Sequence, residues 1–334
     1  EKARLGAEHA VALEEVAALE WRVRMDLARA WTRWRAARAL VVETRRYVAS
    51  VDAILPVVAA MEEVGELART EARLLRIERA AAAAELARLE ADEGRLALLV
   101  AAAAGLPPVV AEWLDAEDAR LGVDGAVADA TSEEMGRASA GLDAAASGAR
   151  EGAAVDDAPP VRVARAAYEA AERRLAEEVR RQYPDLVLGP GYGTQDGERQ
   201  FQLGVSVALP LWNRNRRAIA EAEAAREVAR AALERAVEFR ELALASARRV
   251  EAGARAVRML VEDELLPLAE AQYAESRELA RLGEVNVLGL LTGLGQLLDA
   301  RQRLVEARRD ESLASIEVRE AIGTPVAVTN GGGS

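Results

Sequence analysis

The residues able to do chemistry are mostly acidic and sit in short runs: Glu14-Glu15, Glu62-Glu63 and Glu262-Asp263-Glu264. Clustered carboxylates can exchange protons or collect cations. On a helix, neighbours at i and i+1 do not face one another, so these runs read first as solvated helix surface. A subset turned toward a lumen would favour cations or form a selectivity ring. The single histidine, His9, reads as a surface or interface residue rather than a metal ligand. With no cysteine and four scattered methionines, the chain offers no thiol nucleophile, disulfide or soft-metal site. The expectation is a protein that is not an enzyme and that carries no cofactor and no metal.

Composition says what such residues must be mounted on. Of 334 residues, 51% are hydrophobic and 30% charged, yet only 4% are aromatic. Alanine, leucine, arginine and glutamate dominate, as in long helices packed through small and medium side chains. The net charge of -12 has no basic stripe to offset it, so a nucleic-acid partner is not expected. No run approaches the ~18 apolar residues of a membrane helix. Glu1-Lys2-Ala3-Arg4 is not a signal peptide, which implies prior processing or a start inside a longer protein. Gly331-Gly332-Gly333-Ser334 reads as a flexible linker.

Helical periodicity runs from about Arg4 to Glu63, with Val16, Leu19, Val23, Leu27 and Ala30 on one stripe. Pro56 should kink or restart that helix. After a turn at Val64-Gly65-Glu66, a second helix runs from Leu67 to Ala104 and stops at Gly105, with Pro107-Pro108 beyond. Six glycines break the pattern over 109–160, where short helices and loops are expected. A helix from Val161 to about Arg181 precedes Tyr183-Pro184. Later helices are expected over Arg217 to Arg281 and over Asn286 to Ile322, with a turn at Leu282-Gly283-Glu284 between them and a stop at Gly323.

The two halves repeat. Gly65 stands 40 residues before Gly105, and Gly283 stands 40 before Gly323; Pro107 and Pro325 each follow two residues later. Leu5, Ala10, Leu19, Glu20 and Val23 align with Ile219, Ala224, Leu233, Glu234 and Val237 at an offset of 214, against 218 at the turns. A duplication explains this combination, with about one extra helical turn in the second copy. The first copy lacks a counterpart of the strands described next, so the chain reads as truncated before a first hairpin.

Between Tyr183 and Trp212 the period changes from helical to alternating. Phe201, Leu203, Val205, Val207 and Leu209 fall on one face; Gln202, Gly204, Ser206 and Ala208 fall on the other. A strand of about ten residues spans a bilayer when tilted. Tyr183 and Trp212 bracket it as interface aromatics would. An isolated hairpin is barely stable and its open edges are not tolerated in hydrocarbon, so closure with further hairpins is expected. A half-buried strand of a soluble sheet has the same alternation; no second sheet is legible to receive it.

Tyr183-Pro184-Asp185-Leu186, the joint Leu209-Pro210-Leu211-Trp212-Asn213-Arg214-Asn215-Arg216 and the following Ala220-Glu221-Ala222-Glu223-Ala224 resemble the TolC-type outer-membrane efflux family, in particular its cation-efflux (CzcC-like) branch. Arg281-Leu282-Gly283-Glu284 and Leu297-Leu298-Asp299-Ala300-Arg301 resemble that family's second periplasmic turn and outgoing helix. The sequence departs from the pattern after Gly283-Glu284, where Val285-Asn286 replaces the usual small hydroxyl residue.

The resemblance implies a mostly α fold. Long helical hairpins would form an α-barrel as a homotrimer, and a transmembrane β-hairpin would contribute to a β-barrel. It implies an outer-membrane, largely periplasmic exit duct of a Gram-negative bacterium, embedded in outer-membrane lipid. Its partners would be a periplasmic adaptor and an inner-membrane pump of the RND type, its cargo metal cations or small toxic compounds. The tip turns Val64, Gly65, Glu66, Arg281, Leu282, Gly283 and Glu284 would meet the adaptor, and Asp299 and Arg301 would belong to a gating network. The expected organisation is 1–108 first repeat, 109–160 equatorial segment, 161–182 upper helix, 183–212 membrane hairpin, 213–323 second repeat and 324–334 tail. A soluble helical scaffold and the duct of a protein-secretion exporter remain alternatives at this level.

Overall fold

The computed structural model describes residues 2–65, 67–109, 157–183, 186–195, 198–207, 215–282 and 287–323. In chain order they form α1 (Lys2–Glu63), α2 (Arg69–Ala103), α3 (Pro159–Arg180), β1 (Leu186–Gln195), β2 (Glu198–Val207), α4 (Arg216–Leu260), a π-helical turn (Val261–Leu265), α5 (Leu266–Arg281) and α6 (Val287–Ile322). The expected equatorial segment lies almost wholly outside the described residues. Among the described residues no helix is long and apolar enough to cross a membrane.

The chain divides into two compact units. One comprises Glu1–Glu20 and Ala153–Glu241. In it the start of α1 is tied to α3 by ion pairs from Arg4 to Glu177 at 3.1 Å and from Arg162 to Glu14 at 2.6 Å. The hairpin belongs to this unit. β1 and β2 pair antiparallel from Leu186↔Val207 to Gln195↔Glu198, leaving only Asp196-Gly197 between them. Asp-Gly is a preferred two-residue hairpin connection. The register sets Phe201 opposite Tyr192, Leu203 opposite Pro190, Val205 opposite Leu188 and Val207 opposite Leu186, so the alternation of β2 continues across β1.

The other unit, Trp21–Gly152 and Leu242–Ser334, holds most of the buried apolar surface. Its largest cluster joins Tyr47, Val51 and Val58 of α1 to Leu75 and Ala82 of α2 and Leu294 of α6. A second packs Trp34 of α1 on Ala97 and Val100 of α2, and a third packs Trp21 and Met25 on Ile316 of α6. The α1–α2 pair is laced by Arg76–Glu62, Arg79–Asp52, Arg45–Glu90 and Arg38–Glu93, whose order along the two helices is antiparallel.

Two sequence expectations are corrected here. Of the two outcomes expected at Pro56, a kink or a restart, the restart does not occur, since α1 is helical throughout. Val51 and Val58 on either side are fully buried, and their packing outweighs the lost backbone hydrogen bond. The long helix expected from Arg217 to Arg281 is interrupted instead at Val261–Leu265, where Leu266 N–H bonds Val261 O five residues back. Pro267 follows, with no N–H for a regular turn and a ring that crowds the carbonyl four residues earlier; the wider turn relieves both.

The expected stops are present. Gly105 has φ +68°, with Leu106 N bonded to Ala101 O and Gly105 N to Ala102 O, the paired bonds of a Schellman end. Gly323 has φ +74° and its N–H bonds Arg319 O, the simpler left-handed end.

Candidate functional site

The reversal between α1 and α2 is made at Val64-Gly65, where Gly65 takes φ +78° and Gly65 N bonds Glu62 O. A side chain bearing Cβ is strained in that conformation, which explains the glycine. Leu67, two residues on, is buried in the same apolar cluster as Leu294, with Met61 and Leu291 packed on that cluster. Leu291 and Leu294 belong to the first turns of α6.

Val64, after α1, is 70% exposed, and Leu282, after α5, is 65% exposed. Both are large apolar side chains left uncovered. Of the other expected tip residues, Arg281 closes α5, while Glu66, Gly283 and Glu284 lie outside the described residues.

Behind the turns a polar layer crosses four helices. Tyr47 OH donates to Glu78 Oε1 at 2.9 Å, joining α1 to α2. Gln302 Nε2 donates to Thr44 Oγ1 at 3.1 Å, joining α6 to α1. Arg301 lies 3.5 Å from Glu43 of α1 and 3.4 Å from Glu270 of α5. Burial, then the hydrogen bond and charge of Glu78, then the charge of Asp299, hold the Tyr47 hydroxyl above the ordinary phenol range. Of the two expected gating residues, Arg301 thus spans three helices, whereas Asp299 is exposed and touches the layer through its charge on Tyr47. Residues two apart on a helix point in different directions, which separates their roles. Arg301 stands 14 residues into α6, roughly 20 Å from its start.

α5 and α6 approach closely at Gly293. A Cβ there would lie 3.3 Å from Ser276 Oγ and 3.7 Å from Tyr273 Cα. Higher up, Glu262 of the π turn takes hydrogen bonds from Arg258 and from Arg308 of α6, and Glu311 of α6 takes them from Arg258 and Arg255. Sequence reading passed over Tyr47, Thr44, Gln302 and Gly293, because only the packing of distant helices brings them together. Pro267 was the available signal for the π turn.

In the other unit, Tyr183 is 73% exposed. Phe201, Leu203, Val205 and Val207 occupy alternate positions of β2; Leu209 and Trp212 lie outside the described residues. Both outer edges of the hairpin are unpaired among the described residues. Among the described residues, too, no group of three or more His, Cys, Asp and Glu is arranged to hold a metal ion.

No protein-family model matches the sequence, and no curated protein matches it as a relative. Solved structures match the fold. The outer membrane protein VceC of Vibrio cholerae aligns with TM-score 0.70 at 16% identity, over 96% of this chain and 74% of VceC. The open state of the MtrE outer membrane channel of Neisseria gonorrhoeae aligns with TM-score 0.65 at 14% identity, over 96% of this chain and 71% of MtrE. The CmeC outer membrane channel of Campylobacter jejuni aligns with TM-score 0.66 at 10% identity, over 96% of this chain and 66% of CmeC. The chain has the mostly helical fold of these outer-membrane channels.

Proposed function

We propose that this chain is the outer-membrane exit duct of a tripartite efflux system. It would pass its cargo through a lumen without a reaction of its own. The observation that carries this reading is the hairpin: two ten-residue strands paired in register, with both edges open among the described residues. Such a hairpin gains stability by closing with others into a barrel, which requires further copies of the chain.

The helices support the same assembly. Leu13, Val16, Leu19 and Val23 of α1 are each about half exposed, and so are Val250, Val257 and Leu260 of α4. Apolar stripes of this length on long helices suit contact between protomers in a homotrimer. Val64 and Leu282, with Gly65 and the turn residues beside them, would meet a periplasmic adaptor that joins the duct to an inner-membrane pump of the RND type. Outer-membrane lipid would surround the hairpin face carrying Phe201, Leu203, Val205 and Val207. Cations or small toxic compounds are the proposed cargo, in keeping with the excess of carboxylates. Nothing in this reading requires a bound metal or cofactor.

Reconstitution into a planar bilayer tests it. The duct reading expects discrete single-channel steps from purified oligomer. Protein that partitions into water and leaves the bilayer insulating would instead support a soluble scaffold.

A further inference from the structure

One side chain joins the end of the helix before the hairpin to the start of the helix after it. Among the described residues Asn215 is the only non-glycine with positive φ, at +54°. Asparagine is the residue after glycine that best tolerates this conformation. Its carbonyl accepts the first bond of α4, from Ile219 N at 3.1 Å. Its amide nitrogen carries two hydrogens. Both are directed at a single residue, reaching Glu178 O at 3.0 Å and Glu178 Oε2 at 2.7 Å.

Glu178 lies in the last turn of α3, where carbonyls lack helical partners. Asn215 therefore caps the end of the helix that leads into β1 while starting the helix that follows β2. The contact is anchored further. Glu178 and its neighbour Glu177 are only 13% and 15% exposed, and Arg181 bonds both, at 2.6 and 2.7 Å. Glu177 in turn faces Arg4 of α1 at 3.1 Å, as an ion pair rather than an aligned hydrogen bond. Three helix ends thus converge on two nearly buried carboxylates at the foot of the hairpin.

We propose that the Asn215–Glu178 contact is a latch that holds the two stems of the hairpin together, and that joining this hairpin to those of other copies depends on it. Asn215 is a positioning residue for assembly. The inference rests on the oligomeric membrane reading above.

The test uses the whole protein in detergent, with copy number read by native mass spectrometry and helix content by circular dichroism. Asn215→Asp replaces the donor by a second carboxylate facing Glu178 and is expected to lower the oligomer fraction about tenfold or more. Asn215→Gly keeps the backbone conformation, removes only the amide and is expected to weaken assembly less. Glu178→Gln leaves an acceptor for Asn215 and is expected to assemble nearly normally. Combining Asn215→Asp with Glu178→Gln restores the side-chain bond with the roles reversed, though not the bond to the Glu178 carbonyl, and is expected to recover part of the oligomer at unchanged helix content.

If Asn215→Asp assembles as the wild type does, or if the double variant recovers nothing, the latch is overturned while the duct reading stands. If Asn215→Asp fails to fold, the glycine variant decides: normal assembly without the amide overturns the latch. A wild-type monomer in detergent overturns the duct reading, and the latch with it.

Discussion

The side chain of Gln302 donates a hydrogen bond of 3.1 Å to the hydroxyl of Thr44, which is 1% exposed. Thr44 lies on α1 and Gln302 on α6, so the bond joins the first helix of the chain to its last described helix. Thr44→Val keeps the shape but strands the amide, and is expected to cost about 1–2 kcal/mol. Thr44→Ser keeps the hydroxyl and should cost less. Urea midpoints of the two variants measure the difference; equal midpoints would remove the hydrogen bond from the account.

Gly293 sets the spacing of α5 and α6. Ala at this position needs Ser276 to give by a few tenths of an ångström and is expected to stay within about 1 kcal/mol of wild type. Gly293→Leu must push the helices apart at a nearly buried serine and is expected to cost about 1–3 kcal/mol. Thermal unfolding followed by circular dichroism separates the two.

Tyr47 makes the fold sensitive to alkali. Unfolded tyrosine releases its proton near pH ~10, whereas burial, Glu78 and Asp299 make the folded group hold it to higher pH. Its stabilising contribution is therefore complete below ~10 and declines as pH rises beyond that value. Tyr47→Phe is expected to flatten part of the alkaline fall in urea midpoint while lowering stability at neutral pH, where Glu78 loses its donor. An alkaline limb identical to wild type would place the sensitivity elsewhere.

The acidic counterpart is Glu262. Burial opposes its charge, but the bonds from Arg308 and Arg258 outweigh it and hold its carboxyl below the usual carboxylate range. Its contribution is present above ~4.3 and is lost as pH falls through the lowered folded value. Because the side chain is about a third exposed, Glu262→Gln is expected to cost no more than about 1 kcal/mol at neutral pH. The variant should also lose less stability than wild type on acidification, which a pH series of urea midpoints would show.

These features differ in how far the sequence announces them. Gly105 and Gly323 were readable as stops because a left-handed end is a local requirement of the chain. The strand from Phe201 to Val207 was readable because alternation is local too. Pro56 does not restart its helix, since local propensity yields to the packing of Val51 and Val58. The π turn was missed because a proline inside a long helical pattern can be met in several ways, and only neighbouring α6 selects this one. The polar layer of Tyr47, Thr44 and Arg301 joins residues up to 258 positions apart, and no periodicity reports that.

The central claim is that copies of this chain close into a membrane duct, and single-particle imaging of the whole protein in detergent tests it most directly. The account predicts a three-fold hollow tube, with helical walls on the order of 100 Å long below a membrane collar. A solid bundle, or a monomer that needs no detergent, would contradict it.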